Sequence, residues 1–179
     1  MSKTLRVVGM DPSLRNWGIS KGTLNLATSE VSIQEVAVIN PVLPSGKQIR
    51  QNSLDLESAK QLAQSAMEAA KDAQAIFVEV PVGSQSARAM ASYGICVGVL
   101  GALRASGIPF FEVTPTEVKV TAVGSKVATK ETMIDWAKTR HPEANWPKAA
   151  AKAEHMADAT AAIHAGLRTN EFRQLIQFL

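Results

Sequence analysis

Three carboxylates and one imidazole stand out in this sequence because of where they sit. Asp11 closes the apolar run Leu5-Arg6-Val7-Val8-Gly9-Met10 and is followed by Pro12-Ser13, so it falls where a buried strand stops and a turn begins. A carboxylate in that place has little room to wander, which suits a fixed ligand or a catalytic acid. Glu79 lies inside a second apolar run, Ala75-Ile76-Phe77-Val78-Glu79-Val80. A carboxylate among apolar residues is costly unless it is paired, hydrogen-bonded or bound to metal. His155 and Asp158 stand three residues apart in an Ala-rich stretch, and Glu154 stands four before Asp158, so all three share one side of a helix. Taken singly, each has an ordinary alternative: Glu79 as the structural partner of a basic side chain, His155 and Asp158 as surface residues. Taken together, three carboxylates and an imidazole make an oxygen-rich set suited to Mg²⁺ or Mn²⁺. Two such ions about 3.5–4 Å apart can activate a water and stabilise the leaving oxygen of a phosphodiester.

The elements between these residues decide whether they can meet. Leu5 to Met10 reads as a first strand, Trp17 to Ser20 as the start of a second and Val31 to Ile39 as a third, an antiparallel meander. Asn40 to Gly46, with two prolines and a glycine, is a loop. Leu54, Leu56, Ala59, Leu62, Ala66, Met67 and Ala70 recur at helical spacing, which predicts a helix from Ser53 to about Ala73 with Ser53 as its N-cap. It leads into the Glu79 strand. Strand, long helix, strand fits a crossover into a parallel pair, and if the first and fourth strands are neighbours, Asp11 and Glu79 converge.

Pro81 to Ser86 reads as a loop. Ala87 to Ser106 reads as a helix apolar around much of its girth, with Gly94, Gly98 and Gly101. Helix glycines cost roughly 1 kcal/mol each, an expense expected to be offset by close packing, either on the sheet or against a second copy of the chain. Pro109 to Val113 is a further strand, and Pro115 suits the first position of a short helix. A loop from Gly124 to Thr129, a helix from Lys130 to about Arg140, a linker from His141 to Lys148 and the Ala-rich helix from Ala149 to about Leu167 follow. Residues after about 168 are expected to form a loosely packed tail of a single domain spanning 1–179.

Composition agrees with an ordinary globular chain: 179 residues, 46% hydrophobic and 20% charged. The lone Cys96 sits in an apolar run and reads as a small core residue in a reducing setting. No stretch approaches the ~20 apolar residues of a membrane span, and no signal peptide is visible. The formal charge is only +3, yet between Lys119 and Lys152 seven Lys/Arg face three acids. That local excess suits either a phosphate-facing surface or a solvated helical face.

Four segments in order resemble the RuvC-type Holliday-junction resolvases of the RNase H-like nuclease superfamily. They are Gly9-Met10-Asp11-Pro12-Ser13 with Trp17-Gly18; Phe77-Val78-Glu79; Thr114-Pro115-Thr116-Glu117-Val118-Lys119 with Gly124-Ser125-Lys126-Val127-Ala128-Thr129-Lys130; and His155-Met156-Ala157-Asp158-Ala159. The resemblance implies an α/β, RNase H-like fold with a five-stranded mixed sheet flanked by helices on both faces. It implies a homodimer, with the 87–106 helix as the candidate contact, that cuts four-way junctions by paired phosphodiester cleavage to a 5′-phosphate and a 3′-hydroxyl. Carried over, Asp11, Glu79, His155 and Asp158 become the metal-binding catalytic set for two Mg²⁺ per site, with Mn²⁺ as substitute. Lys130 joins them at the scissile phosphate. Lys119, Lys126, Lys130, Ser84 and Gln85 become DNA contacts. The implied location is cytoplasmic, nucleoid-associated or in a host cytoplasm if viral.

One departure matters. Better-known members carry a stacking aromatic in the loop after the second acid, where this chain reads Pro81-Val82-Gly83-Ser84-Gln85. Stacking supplies roughly 1–3 kcal/mol per base, so flap or other branched DNA stands beside the four-way junction as substrate. Two other classes remain: a non-catalytic module that binds branched DNA, and a sugar-kinase-like phosphotransferase. The latter needs a second lobe and Gly-rich nucleotide loops that are absent here.

Overall fold

The apolar run Val7-Val8-Gly9-Met10, buried throughout, lies in β1 (Thr4–Asp11), which pairs antiparallel with β2 (Trp17–Asn25), and β2 in turn with β3 (Glu30–Ile39). The computed structural model describes residues 4–46 and 48–178. Helix α1 (Gln51–Ala70) crosses to β4 (Ala75–Glu79), which lies parallel beside β1; α2 (Ala87–Arg104) crosses to β5 (Phe110–Val113), parallel beside β4. The sheet order is β3-β2-β1-β4-β5, mixed and five-stranded as expected. Then come α3 (Pro115–Val123), α4 (Lys130–Arg140), α5 (Ala150–Gly166) and α6 (Asn170–Ile176).

The two-residue period of a strand sorts the core into two layers. Val8, Met10, Ile76 and Val78 pack with Leu62, Ala66, Cys96 and Leu100 of α1 and α2. Val7, Ala75 and Phe77 point the other way, into a cluster with Phe111, Ile163 and Phe172. Helices therefore cover both faces. By the same parity Asp11 follows Val7 and Gly9, and Glu79 follows Ala75 and Phe77, onto the side covered by α5.

α5 lies against all five strands, and two glycines let it come so close. A Cβ on Gly9 would stand 2.0 Å from the Ala159 carbonyl oxygen, and one on Gly18 2.0 Å from the His155 carbonyl oxygen. Any other residue there would push the helix off the sheet. The buried Thr160 hydroxyl donates to the Met156 carbonyl and lies 2.9 Å from Ser20 Oγ, adding a polar contact between α5 and β2.

Several expectations are corrected. α1 begins at Gln51, with Arg50 at the cap position and no side-chain cap bond. Ser53 lies in the first turn and its N–H donates to the Arg50 carbonyl at 3.0 Å. The start is fixed instead by Gln51, which donates to Asp55 at 3.0 Å, and by Arg88 of α2, which grips both Asp55 oxygens at 2.6 and 2.7 Å. The glycines of α2 do not pack on the sheet: Gly94, Gly98 and Gly101 are exposed, and a Cβ on any of them would meet nothing of this chain within 4 Å. Residues 170–176 are not a loose tail. They form α6, whose Phe172 is 2% exposed and sits edge-on to Phe77 and Phe111 at 5.2 Å, an aromatic trio favourable beyond its buried area.

Candidate active site

β1 and β4 run parallel in register up to Met10 opposite Val78. One residue further, each strand ends in a carboxylate: Asp11 and Glu79. The parity of both strands turns the two acids to the α5 side, where Asp158 waits. Glu79 and Asp158 are mostly buried and close enough to Asp11 to feel its charge. Burial first, then Asp11 and then Asp158, push the Glu79 carboxyl up to about 8. Burial, then Asp11 and Glu154, push Asp158 up to about 7, against the opposing pull of His155 and Lys119. These are carboxylates crowded into a poorly hydrated corner without enough cations.

His155 is turned to Asp11, with Nδ1 at 2.6 Å from Asp11 Oδ2. That hydrogen bond is the chief cause of a raised imidazole pKa. One member of the set is thus a direct partner of another, fixed in place because Gly18, opposite Asp11 in the β1–β2 ladder, admits the His155 backbone. Among the described residues, no three His, Cys, Asp or Glu side chains form a ready-made cage for a metal ion. The acids stand as neighbours within electrostatic reach of one another.

The basic residues divide. Lys119, on α3, stabilises the charged forms of both Glu79 and Asp158. Its helix is held by a capping box, Thr114 and Glu117 each bonding the other's backbone N–H, with Pro115 in the first turn. Lys130 opens α4 and its ammonium sits at 2.7 and 2.9 Å from the two oxygens of Glu154. Lys126 is exposed on the loop between α3 and α4, which begins at Gly124 in the left-handed conformation, φ 74°. Ser84 and Gln85 are exposed in the loop after β4; Ser84 Oγ accepts from the Ser86 N–H at 3.2 Å, and Ser86 caps α2. Cys96 is fully buried and its thiol is pushed up to about 12, chiefly by burial, which leaves it an inert core residue.

Glu154 is the residue that sequence reasoning placed on the right face and gave no role. Its signal was its position one turn before Asp158; nothing in sequence linked it to Lys130. A partly buried imidazole pair, His141 and His164 with Nε2 atoms 2.8 Å apart, also went unnoticed, because no spacing rule connects the end of α4 to the last turn of α5.

No protein-family model and no curated protein matches the chain. Solved structures do. Thermus thermophilus RuvC in complex with a Holliday junction substrate is 20% identical with a TM-score of 0.66, over 90% of this chain and 92% of that one. A second Thermus thermophilus RuvC structure is 19% identical with a TM-score of 0.65, over 95% of this chain and 96% of that one. At such identities the likeness establishes a shared fold, and it does so over nearly the whole length of both chains.

Proposed function

From that shared fold and the acids gathered at one end of its sheet, we propose that the chain is a divalent-metal-dependent, structure-selective DNA endonuclease that resolves four-way junctions by paired phosphodiester cleavage. The observation that carries this reading is the meeting of Asp11, Glu79 and Asp158. They come from the ends of two adjacent parallel strands and from α5, a helix distant from both in sequence, and they repel one another there.

The donor set fits Mg²⁺ or Mn²⁺. Hard cations take carboxylate oxygens, and buried carboxyls raised by mutual repulsion are groups that a bound dication would stabilise in their charged form. Asp11, Glu79 and Asp158 would hold two such ions, with His155 as a further donor or as the group that orients Asp11. The ions would supply activation of the attacking water and stabilisation of the leaving oxygen. His155, hydrogen-bonded through Nδ1, fixes one Asp11 oxygen. Lys130 and Lys119 offer ammonium groups for the charge that develops on the phosphate. Lys126, Ser84 and Gln85 would contact the DNA on either side of the acids, and α2 would provide the contact in a homodimer. The products would be a 5′-phosphate and a 3′-hydroxyl.

The test is a cleavage panel of four-way, three-way, flap and linear DNA with Mg²⁺ and Mn²⁺ in turn. Paired nicks in the four-way junction, faster than in the other substrates, are expected. Preference for flaps would move the reading to a branched-DNA nuclease, for which the loop without an aromatic, Pro81 to Gln85, is the favouring observation. Tight binding without cleavage in either metal would make the chain a binding module. No helix of the described residues is long and apolar enough to cross a membrane.

A further inference from the structure

Lys130 is an odd choice for the place it occupies. It is the first residue of α4, after the cap Thr129, and a cation at a helix N-terminus sits against the positive end of the helix dipole. Its side chain is 70% exposed, so nothing in the packing holds its four rotatable bonds. What holds it is Glu154 of α5, whose carboxylate is only 22% exposed and takes the ammonium on both oxygens. Two charged groups from different helices, 24 residues apart, are thereby joined at the surface. Exposed ion pairs add little to stability, so the fold itself does not account for the pair.

Position does. Glu154 precedes His155 by one residue and Asp158 by one helical turn, and its charge is felt at both. Lys130 in turn feels Asp158. The ammonium therefore hangs one turn from the acids, on a helix that Gly9 and Gly18 press against the sheet. We infer that Glu154 is a positioning residue whose carboxylate tethers the Lys130 ammonium at the rim of the acidic cluster, so that a DNA phosphate entering the site meets a cation already in place. This rests on the nuclease reading. A lysine without a tether samples many positions, and a misplacement of about 1 Å near a reacting group can cost about 100-fold in rate. A lysine held by a carboxylate pays that ordering during folding instead.

The experiment compares wild type, Glu154→Gln, Lys130→Ala and the double variant. Single-turnover cleavage of a four-way junction in Mg²⁺, affinity for the same junction in Ca²⁺ and the thermal midpoint are measured for each. Lys130→Ala is expected to slow cleavage about 100-fold, in the range of a lost charge-stabilising donor, with a much smaller loss of affinity, and Glu154→Gln to slow it about 10-fold at saturating DNA with affinity and midpoint unchanged. The double variant should be no slower than Lys130→Ala, because a tether has nothing to position once the lysine is gone. Rates that multiply in the double variant, or a Glu154→Gln enzyme at the wild-type rate, would overturn the inference. If the wild-type chain cuts no DNA, the nuclease reading fails by itself, and the tether is judged separately from ¹⁵N spectra of the Lys130 ammonium. A signal that Glu154→Gln shifts supports the tether, and an identical signal in both proteins overturns it.

Discussion

His155 and Asp11 are hydrogen-bonded, Nδ1 to Oδ2 at 2.6 Å, across 144 residues of sequence. The contact closes the chain on itself: the first strand is joined to the last long helix at the point where the acids gather. It exists because Gly18 lets the His155 backbone pass where a side chain would otherwise stand. Gly18→Ala is therefore expected to harm cleavage beyond its effect on folding. A Cβ that must displace backbone falls at the upper end of the roughly 1–3 kcal/mol typical of overpacking. Gly9→Ala, one turn of α5 further on, should destabilise by a similar amount. Denaturant unfolding gives the stability of both variants, and junction cleavage well below their melting temperatures gives the activity. Gly18→Ala should lose more activity than Gly9→Ala at equal stability, because only the former moves His155.

Glu79 carries a stability consequence of its own. Its ordinary pKa is 4.5 and burial with two acidic neighbours pushes it up to about 8. Between those values the unfolded chain has released a proton that the folded chain keeps, so the stabilising contribution is complete below about 4.5 and is lost as pH rises through about 8. Glu79→Gln removes this dependence. Thermal melts in a chelator from pH 4 to pH 9 should show the variant several degrees more stable than wild type at the alkaline end and equal to it at the acid end. Added Mg²⁺ should raise the wild-type midpoint and leave that of Glu79→Gln nearly unchanged, while the variant cuts no DNA.

The acid limb has a different origin. His141 and His164 pair through their Nε2 atoms with Trp136 against the His164 ring. Burial, with help from Arg140, holds His141 down to about 4, against a small opposing effect of Glu143. Burial, then His141, Arg140 and Arg168, hold His164 down to about 3. A depressed imidazole contributes stability above its unfolded pKa near 6.5 and loses it as pH falls towards these values, because only the unfolded chain takes up the proton. The histidines therefore work against the raised carboxyls of Glu79 and Asp158, which gain stability over the same fall in pH, and His164→Phe should be less destabilised than wild type by a fall from pH 6 to pH 4. Urea unfolding at pH 4, 5, 6 and 7 measures the slope.

Lys126 separates a backbone contact from a residue acting at the phosphate. It is exposed on the loop between α3 and α4. Lys126→Ala should weaken binding to all DNA shapes alike and lower the slope of log affinity against log salt by about 0.9, the value for one phosphate. The cleavage rate at saturating DNA should stay that of wild type. Fluorescence anisotropy across a salt series reads the first effect and single-turnover cleavage the second.

The sheet and the acids were legible because both are written in local pattern. Apolar runs with β-branched residues marked β1 and β4, the helical spacing from Leu54 to Ala70 marked the crossover between them, and strand parity sends Asp11 and Glu79 to one side. What escaped depends on contacts between distant segments. The start of α1 is set by Gln51, Asp55 and Arg88 rather than by the nearest serine. α6 exists because Phe172 finds Phe77 and Phe111, a partnership no window of sequence contains. That the glycines of α2 do not face the sheet escaped too, since a glycine looks the same in sequence whether its neighbour is a backbone, as at Gly9, or an open surface. Glu154 read as one more acid on a helix until Lys130 was seen beside it.

The account stands most directly on Asp11. Single-turnover cleavage of a synthetic four-way junction in Mg²⁺, with affinity for the junction measured in Ca²⁺, should show that Asp11→Asn binds the junction about as well as wild type and cuts it no faster than the uncatalysed background. Asp11→Asn cutting at the wild-type rate would contradict it.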